Sequence, residues 1–321
     1  MNYKPILIVA GEPNSIFLEI FFKSLKLKKF KSPLILIASL KLLKLQMRKL
    51  KVRKKIRLLD KKNLEKYKLN NNTINIIDIN YDQKKAFEKI SFKSNSYIEN
   101  SFETALSILK KGLTNKLING PISKKYFLKD KYLGVTEYLA KKTKTKKFAM
   151  LIYNKNLSVC PLTTHLPVKL VPKNLNSNII KNKVSLIHMF YKNVLKRKPS
   201  IAITGLNPHC ESILKNNEDI KIIKPAVLNL KSKKYNVNGP FAADTIFLKD
   251  NRKKYDVIIG MYHDQVLTPI KTLYEYNAIN ITLGLPFIRV SPDHGPNERM
   301  LGKNLSNPLS LLESITFLEN K

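Results

Sequence analysis

Short apolar runs alternate with longer amphipathic segments along the chain. The runs 5–10, 33–39 and 73–79 ("PILIVA", "PLILIAS" and "TINIIDI") are almost continuously apolar, as buried strands are. Between such runs, segments 15–28 and 98–112 place apolar residues at helical spacing. Near-continuous apolar strands that alternate with helices are typical of a largely parallel sheet covered by helices. The pattern therefore predicts an α/β fold.

The second half of the chain continues this alternation. The runs 147–153 and 157–164 are separated by a short polar turn, which predicts an antiparallel pair. The other predicted elements are a strand at 116–121, a helix at 178–197, β-rich runs at 200–206, 255–263 and 277–290, and a C-terminal helix at 307–320. Composition marks no linker, so we divide the chain approximately, into one α/β domain at 1–130 plus 300–321 and a second at 131–299.

Composition narrows the class of protein. Hydrophobic residues make up 43% of the 321 positions, which is typical of a globular chain. No apolar run approaches the length needed to span a bilayer, and the N-terminal run is too short for a signal peptide. Two cysteines, Cys160 and Cys210, do not form a disulfide framework. We therefore expect a soluble, cytoplasmic protein without a membrane partner.

The formal net charge of +36 invites a nucleic-acid partner. However, lysine is spread through nearly every segment, and arginine, the usual reader of phosphates and base edges, is scarce. Lysine, isoleucine and asparagine also share A/T-rich codons, so genomic composition explains the excess. The densest basic stretch, 41–57, has leucines at helical spacing and predicts a solvated helix face over an apolar stripe. A basic nucleic-acid-binding protein remains the alternative from another class.

Polar clusters follow three of the predicted strands. They contain His165 in "TTHLP", His209 in "GLNPH" and His263 in "MYHDQ". Ligands bind beyond the carboxyl ends of strands in open α/β sheets, so three imidazoles there suit a catalytic site for zinc or a similar divalent ion. Asp264 would orient an imidazole or take a proton. No two of these histidines share a short metal-ligand spacing, so surface or capping histidines remain the alternative. The glycine-rich dinucleotide fingerprint is absent.

Eight short stretches, taken in order, carry a family resemblance. They are "GEP", "NGPISK", "GVTEYLA", "TTHLP", "GLNPH", "GPFAADTIF", "MYHDQ" and "NITLGLPFIRVSPDHG", and they run from residue 11 to beyond residue 295. The chain resembles the 4-hydroxythreonine-4-phosphate dehydrogenase family of vitamin B6 biosynthesis. The segment "SPDHGPNERMLGKNLSNP" also resembles the cofactor loop of the wider isocitrate and isopropylmalate dehydrogenase group.

The resemblance implies a fold and an activity. The fold would be two α/β/α domains with an active-site cleft between them, isocitrate/isopropylmalate dehydrogenase-like. The enzyme would be a homodimer whose active site is shared between the subunits. It would use NAD, with NADP as the alternative, to oxidise a small phosphorylated substrate, 4-phosphooxy-L-threonine. Loss of CO2 would then give 3-amino-2-oxopropyl phosphate for pyridoxal 5'-phosphate biosynthesis.

The resemblance also implies roles for individual residues. One divalent ion per site (Zn, Mg, Mn or Co) would be held by His165, His209 and His263. The substrate would be bound by Thr136, Lys271, Asn280 and Arg289, and the adenosine end of NAD by His294 and Gly295. The catalytic proton handlers or orienting groups would be Asp264, Asp244 and Lys271.

Some positions depart from the family pattern. Val135 stands where the family has a histidine, which makes a related dehydrogenase for a phosphorylated four-carbon sugar acid the main alternative. Val266 replaces a glycine after "HDQ", where we expect a β-branched side chain to strain the turn. A structural remnant without turnover would lose metal binding, and the retention of all three candidate metal ligands disfavours it.

Overall fold

The computed structural model describes residues 3–128, 132–210 and 216–321. The chain divides into two compact units. The first contains the residues up to Leu139 together with Pro286–Lys321, and the second contains Ala140–Leu285. No helix in the described part of the chain has both the length and the apolar character needed to cross a membrane.

Strands and helices alternate through both units. The strands are β1 (Ile6–Val9), β2 (Leu34–Ala38), β3 (Ile56–Leu58), β4 (Ile74–Asp78), β5 (Lys116–Asn119), β6 (Ala149–Tyr153), β7 (Ser158–Pro161), β8 (Ile201–Thr204), β9 (Val237–Phe241), β10 (Val257–Gly260), β11 (Ile279–Leu283) and β12 (Ile288–Pro292). The α-helices are α1 (Phe17–Leu27), α2 (Leu40–Lys49), α3 (Asn95–Lys110), α4 (Val135–Lys142), α5 (Val171–Asn174), α6 (Ser177–Asn193), α7 (Lys224–Ser232), α8 (Ala243–Ile246), α9 (Lys249–Arg252), α10 (His263–Tyr274) and α11 (Leu309–Glu319).

The sheet of the first unit is parallel throughout. Its strand order is β3-β4-β2-β1-β5-β12. Strands β1 and β2 are buried along their whole length, as expected of parallel strands covered on both faces. Helix α3 contacts β1 and β2, and helix α11 contacts β1, β5 and β12.

The sheet of the second unit is mixed. Its order is β11-β6-β7-β10-β8-β9, in which the pairs of β6 with β11 and β7 are antiparallel and the remaining pairs are parallel. Helix α10 turns Val266, Leu267 and Ile270 into an apolar cluster that also contains Val159 and Ile258. The predicted α/β fold class and the predicted antiparallel pair are therefore confirmed.

The structure differs from the sequence-based expectations at several boundaries. The second unit ends at residue 285, whereas the sequence analysis ended the second domain at residue 299. The difference arises because β12 pairs with β5 in the first unit. The basic stretch 41–57 is helical only as far as Lys49, after which the chain turns into the edge strand β3. Strand β10 ends at Gly260, and His263, expected at a strand end, is the first residue of α10.

Candidate active site

Three adjacent parallel strands in the second unit carry the candidate metal ligands. Strand β10 lies between β7 and β8, and its last residue, Gly260, is paired in register with Pro161, the last residue of β7. His165, His263 and His209 follow the ends of β7, β10 and β8 within five residues. Neighbouring parallel strands have their carboxyl ends on the same side of a sheet. All three histidine loops therefore begin on that side.

His165 and His263 lie side by side in this arrangement. Their ring centroids are 5.9 Å apart and their ring planes are inclined by 38°. Two imidazoles that bind one ion through nitrogens about 2.1 Å away have centroids roughly 4.5–6.5 Å apart, so this pair fits a shared ion. His263 Nδ1 lies 2.5 Å from Asp264 Oδ1. The carboxylate therefore holds Nδ1 as the donor and leaves Nε2 as the ligand nitrogen.

His209 occupies an exposed turn with a left-handed backbone, at φ 56°. Its Nδ1 lies 3.8 Å from Asp244 Oδ2, beyond hydrogen-bond distance. Within residues 3–128, 132–210 and 216–321, no three His, Cys, Asp or Glu side chains are already arranged around a common metal position. The three imidazoles thus suit a divalent ion by their chemistry, and the structure brings two of them within sharing distance.

Hydrogen bonds join these loops beneath the histidines. Thr163, two residues before His165, donates to the Met261 carbonyl from its backbone N at 3.2 Å and from Oγ at 2.7 Å. The Met261 backbone N in turn donates to Gln265 Oε1 at 2.7 Å. Gln265 also reaches the end of β8, where it accepts from Thr204 Oγ at 2.9 Å. The loops of His165, His263 and His209 are therefore linked by hydrogen bonds that join the Met261 backbone to the side chains of Thr163, Gln265 and Thr204.

A buried carboxylate fixes the loop of His209 from its other side. Asp219 is 1% exposed, and its Oδ1 accepts from the Leu206 backbone N at 2.7 Å. Its Oδ2 accepts from Asn207 through the backbone N at 3.1 Å and Nδ2 at 2.8 Å. A Cβ at Gly205 would lie 2.7 Å from Asp219 Oδ1, so a larger residue there would displace this carboxylate. Sequence reasoning missed Asp219, because an isolated aspartate ten residues beyond "NPH" carries no spacing signal.

The strain that we expected at Val266 is absent. Val266 lies inside α10, is fully buried in the apolar cluster of the second unit, and does not adopt a positive φ. The tight position is instead Gly260, where an added Cβ would lie 2.4 Å from Val266 Cγ1. The expectation was wrong because the family glycine corresponds here to a helical position rather than to a turn.

Two predicted substrate residues belong to the second unit. Lys271 is exposed on α10, two helical turns after His263. Asn280 is half-buried in β11, and its Oδ1 is buried without a hydrogen-bond partner among the described residues. A buried acceptor of this kind suits a donor group on a ligand.

The other two predicted substrate residues belong to the first unit. Arg289 in β12 is only 2% exposed, and its Nε donates to Asn119 Oδ1 at 2.7 Å. Burial lowers the pKa of Arg289 to about 10, while the nearby Glu137 carboxylate acts in the opposite direction. The guanidinium therefore keeps its charge at neutral pH. Thr136 is buried in the same unit, in the first turn of α4.

The predicted cofactor residues follow β12 in the first unit. His294 Nδ1 lies 3.0 Å from the Gly295 carbonyl, which makes Nδ1 the protonated nitrogen of the neutral ring. Burial lowers the pKa of His294, which favours this neutral form. Nε2 is buried without a partner in the described parts of the chain, and it would accept a hydrogen bond from a nucleoside.

Glu12, in the "GEP" stretch, is a buried carboxylate to which the sequence assigned no role. It is 1% exposed and accepts from the Asn14 backbone N at 3.2 Å and from Ser94 Oγ at 3.0 Å. Burial raises the pKa of Glu12, and the Glu298 carboxylate raises it further, whereas the two hydrogen bonds lower it. No spacing pattern could have predicted Ser94 as its partner, because the two residues are 82 positions apart.

The fold and these residues define an α/β enzyme with a candidate metal centre at the carboxyl edge of its second sheet. The chain belongs to the family of the pyridoxal phosphate biosynthetic protein PdxA, whose family model matches residues 29–318. Relatives of this chain are named as dehydrogenases.

Individual relatives agree with this membership. A 4-hydroxythreonine-4-phosphate dehydrogenase from Sulfurihydrogenibium sp. is 41% identical over 223 residues, which cover 68% of this chain and 67% of that protein. A D-threonate 4-phosphate dehydrogenase from Salmonella typhimurium is 31% identical over 300 residues, or 92% of each chain. The crystal structure of the 4-hydroxythreonine-4-phosphate dehydrogenase from Klebsiella pneumoniae superposes with a TM-score of 0.86 at 29% identity, covering 99% of this chain and 98% of that one.

Proposed function

We propose that this dehydrogenase oxidises 4-phosphooxy-L-threonine with NAD and that the product loses CO2 to give 3-amino-2-oxopropyl phosphate. The observation that carries the proposal is the placement of three histidine loops at the ends of three adjacent parallel strands, in a chain of this family. His165, His209 and His263 would hold one divalent ion. When bound, the ion would supply Lewis-acid polarisation of the substrate hydroxyl.

The second unit would orient the ligands and move a proton. Asp264 holds His263 through one carboxylate oxygen, and its side chain is otherwise exposed. Its second oxygen is therefore available to accept the proton of the substrate hydroxyl. Lys271 would neutralise an anionic group of the substrate, and Asn280 Oδ1 would accept a hydrogen bond from it. Asp244 is the other candidate proton handler, 3.8 Å from His209.

The first unit would supply a fixed positive charge. Asn119 holds the Nε edge of Arg289, so the guanidinium needs little reorganisation to bind a phosphate or carboxylate. NAD would accept the hydride, and that chemistry belongs to the cofactor. His294 and Gly295 would contact its adenosine end.

We propose that the enzyme works as a homodimer, which light scattering of the purified protein tests.

The test is turnover of the metal-stripped protein. NADH formation from 4-phosphooxy-L-threonine is followed before and after adding Zn²⁺, Mg²⁺, Mn²⁺ or Co²⁺. We expect activity only with added metal, and loss of that activity in His263→Ala. His188→Ala is the matched control, because His188 belongs to α6, outside the three histidine loops, and packs against Tyr235. Metal-independent turnover would contradict the metal role, and absence of NADH under every condition would contradict the reaction.

A second substrate has specific support. One relative that covers 92% of the chain is a D-threonate 4-phosphate dehydrogenase, and the family histidine before Thr136 is Val135 here. The kcat/KM values for the two phosphorylated substrates decide between them. If D-threonate 4-phosphate is preferred, Val135→His should shift the ratio toward 4-phosphooxy-L-threonine. An unchanged ratio would remove Val135 as the cause of the preference.

A further inference from the structure

We propose that Gln265 is a positioning residue that fixes the loop of His263 relative to the loop of His209. The inference rests on the proposed metal centre, and it concerns a side chain whose hydrogen bonds go to Met261, Thr204 and Gly205. Gln265 is the third residue of α10, half-buried, and two residues beyond His263. Its amide group links two stretches of chain that are 60 residues apart in sequence.

The amide makes one local bond and two distant ones. Oε1 accepts from the Met261 backbone N at 2.7 Å, which closes the turn between β10 and α10. The same oxygen accepts from Thr204 Oγ at 2.9 Å, and Nε2 donates to the Gly205 carbonyl at 2.8 Å. A local role in starting the helix would need only the first bond. The two distant bonds both fall on the end of β8, which leads directly to His209.

Both ends of this link are rigid. Thr204 is fully buried, so its hydroxyl needs a partner inside the protein, and Gln265 provides it. Beyond Gly205, the buried Asp219 carboxylate holds the backbone N–H groups of Leu206 and Asn207. A shift of the amide would therefore move the base of the His209 loop. It would also move Met261, whose carbonyl accepts both bonds from the His165 loop.

The chemistry requires an amide at this position. Only a group with an acceptor and a donor on one planar end can serve Thr204 and the Gly205 carbonyl together. Methionine matches the length of glutamine and lacks these hydrogen bonds. Gln265→Met therefore removes the link with little change of volume. Thr204→Val removes one of the two distant bonds and keeps the shape of the side chain.

The chain contains a matched control in Gln46. This glutamine is fully buried in the first unit, and its Nε2 donates at 3.0 Å to the carbonyls of both Pro13 and Ala86. Gln46→Met removes a comparable pair of bonds far along the chain from every histidine loop. An effect seen in both Gln265→Met and Gln46→Met therefore reflects a general loss of stability. An effect seen only in Gln265→Met reflects a change at the candidate metal centre.

Two measurements test the proposal. The first is amide hydrogen exchange of the metal-free protein, read at Met261 and across residues 205–210. The second is the Co²⁺ dissociation constant, read from the visible ligand-field absorption that also reports the geometry around the ion. In Gln265→Met we expect about tenfold faster exchange in both stretches and about tenfold weaker Co²⁺ binding, at the low end of what loss of a ligand-orienting partner causes. Gln46→Met should leave all of these values unchanged.

A double-mutant cycle sharpens the result. Thr204→Val should weaken Co²⁺ binding less than Gln265→Met, and the double variant should be no worse than Gln265→Met alone, because both changes remove the same link. Faster exchange at Met261 alone would overturn the proposal in favour of a local helix-starting role. Unchanged Co²⁺ affinity despite faster exchange in both stretches would also overturn it. If the parent protein binds no Co²⁺, the metal centre itself fails, and exchange alone decides whether Gln265 couples the loops.

Discussion

The two units present their candidate functional groups in opposite ways. In the first unit the guanidinium of Arg289 is buried, and side-chain contacts hold it directly, with Asn119 at 2.7 Å. In the second unit the side chain of His209 is 71% exposed and that of His263 is 38% exposed, and the hydrogen bonds lie beneath them, between the loop backbone and the side chains of Thr163 and Gln265. The first unit fixes a charged side chain, whereas the second fixes the loops that carry the imidazoles.

The difference follows from the ligands that each group would take. A guanidinium has to be held against desolvation at all times, because a buried charge without partners is strongly destabilising. Imidazoles gain their fixed geometry from the ion itself, so the protein needs only to place their backbones. We therefore expect substitution of the histidines to reduce mainly activity and substitution of the buried arginine to reduce stability.

The largest effect should come from His263→Ala. Turnover is expected to fall about 1000-fold or more, since loss of a Lewis-acid centre removes several kcal/mol of transition-state stabilisation. The free energy of unfolding of the metal-free protein should change by less than about 1 kcal/mol, because the His263 side chain is only partly buried, at 38% exposure. Urea unfolding and steady-state kinetics measure the two quantities. A stability loss above about 1 kcal/mol would break the contrast between the units.

Arg289→Met should behave in the opposite way. Removal of the guanidinium deprives the buried Asn119 Oδ1 of its Nε donor, and we expect a cost of about 3 kcal/mol of unfolding free energy. The control is Arg197→Met, which breaks a half-exposed ion pair with Asp256 and should cost less than about 1 kcal/mol. Equal losses of unfolding free energy in Arg289→Met and Arg197→Met would show that the burial of Arg289 does not add to its contribution to stability.

Asp219→Asn sharpens the contrast within the second unit. An amide keeps one acceptor oxygen but turns an NH2 group toward backbone N–H donors, so we expect a loss of about 2 kcal/mol. Asp250→Asn, at an exposed position on α9, is the control and should change stability by less than about 0.5 kcal/mol. Thermal unfolding measures both. A neutral result for Asp219→Asn would mean that the loop backbone is not held as described.

The smallest effect concerns Glu12 and pH. Because burial raises the pKa of this carboxyl above its ordinary value of 4.5, the fold favours the protonated form. The stabilisation from the protonated Glu12 carboxyl is fully present below about pH 4.5 and is lost as the pH rises through the raised pKa. The free energy of unfolding falls by about 1.4 kcal/mol for each unit by which the folded pKa exceeds the ordinary one. Glu12→Gln should therefore gain stability relative to the parent between pH 4.5 and 7.5. Urea unfolding at both pH values tests this, with Glu65→Gln at an exposed site as the control.

Sequence reasoning reached the strands that lie in largely apolar runs and the residues that follow them. It missed β3 because this strand is short and contains Arg57, and it missed β9 because that strand contains asparagine, glycine and proline. It placed His263 correctly after β10 but did not foresee that α10 begins there. The role of Gln265 could not be predicted although "MYHDQ" was noted, because Thr204 and Gly205 lie 61 and 60 residues away and carry no spacing signal. Pairings of that range are set by the sheet order β7-β10-β8.

The three histidine loops are widely spaced in the chain, with 44 residues from His165 to His209 and 54 from His209 to His263. An ion bound to all three would act as a reversible cross-link that closes two long stretches of the unfolded polypeptide. Its occupancy would then govern how often this unit opens far enough for a protease to cut it. A cell short of the metal would lose the protein by degradation as well as the activity of each remaining copy.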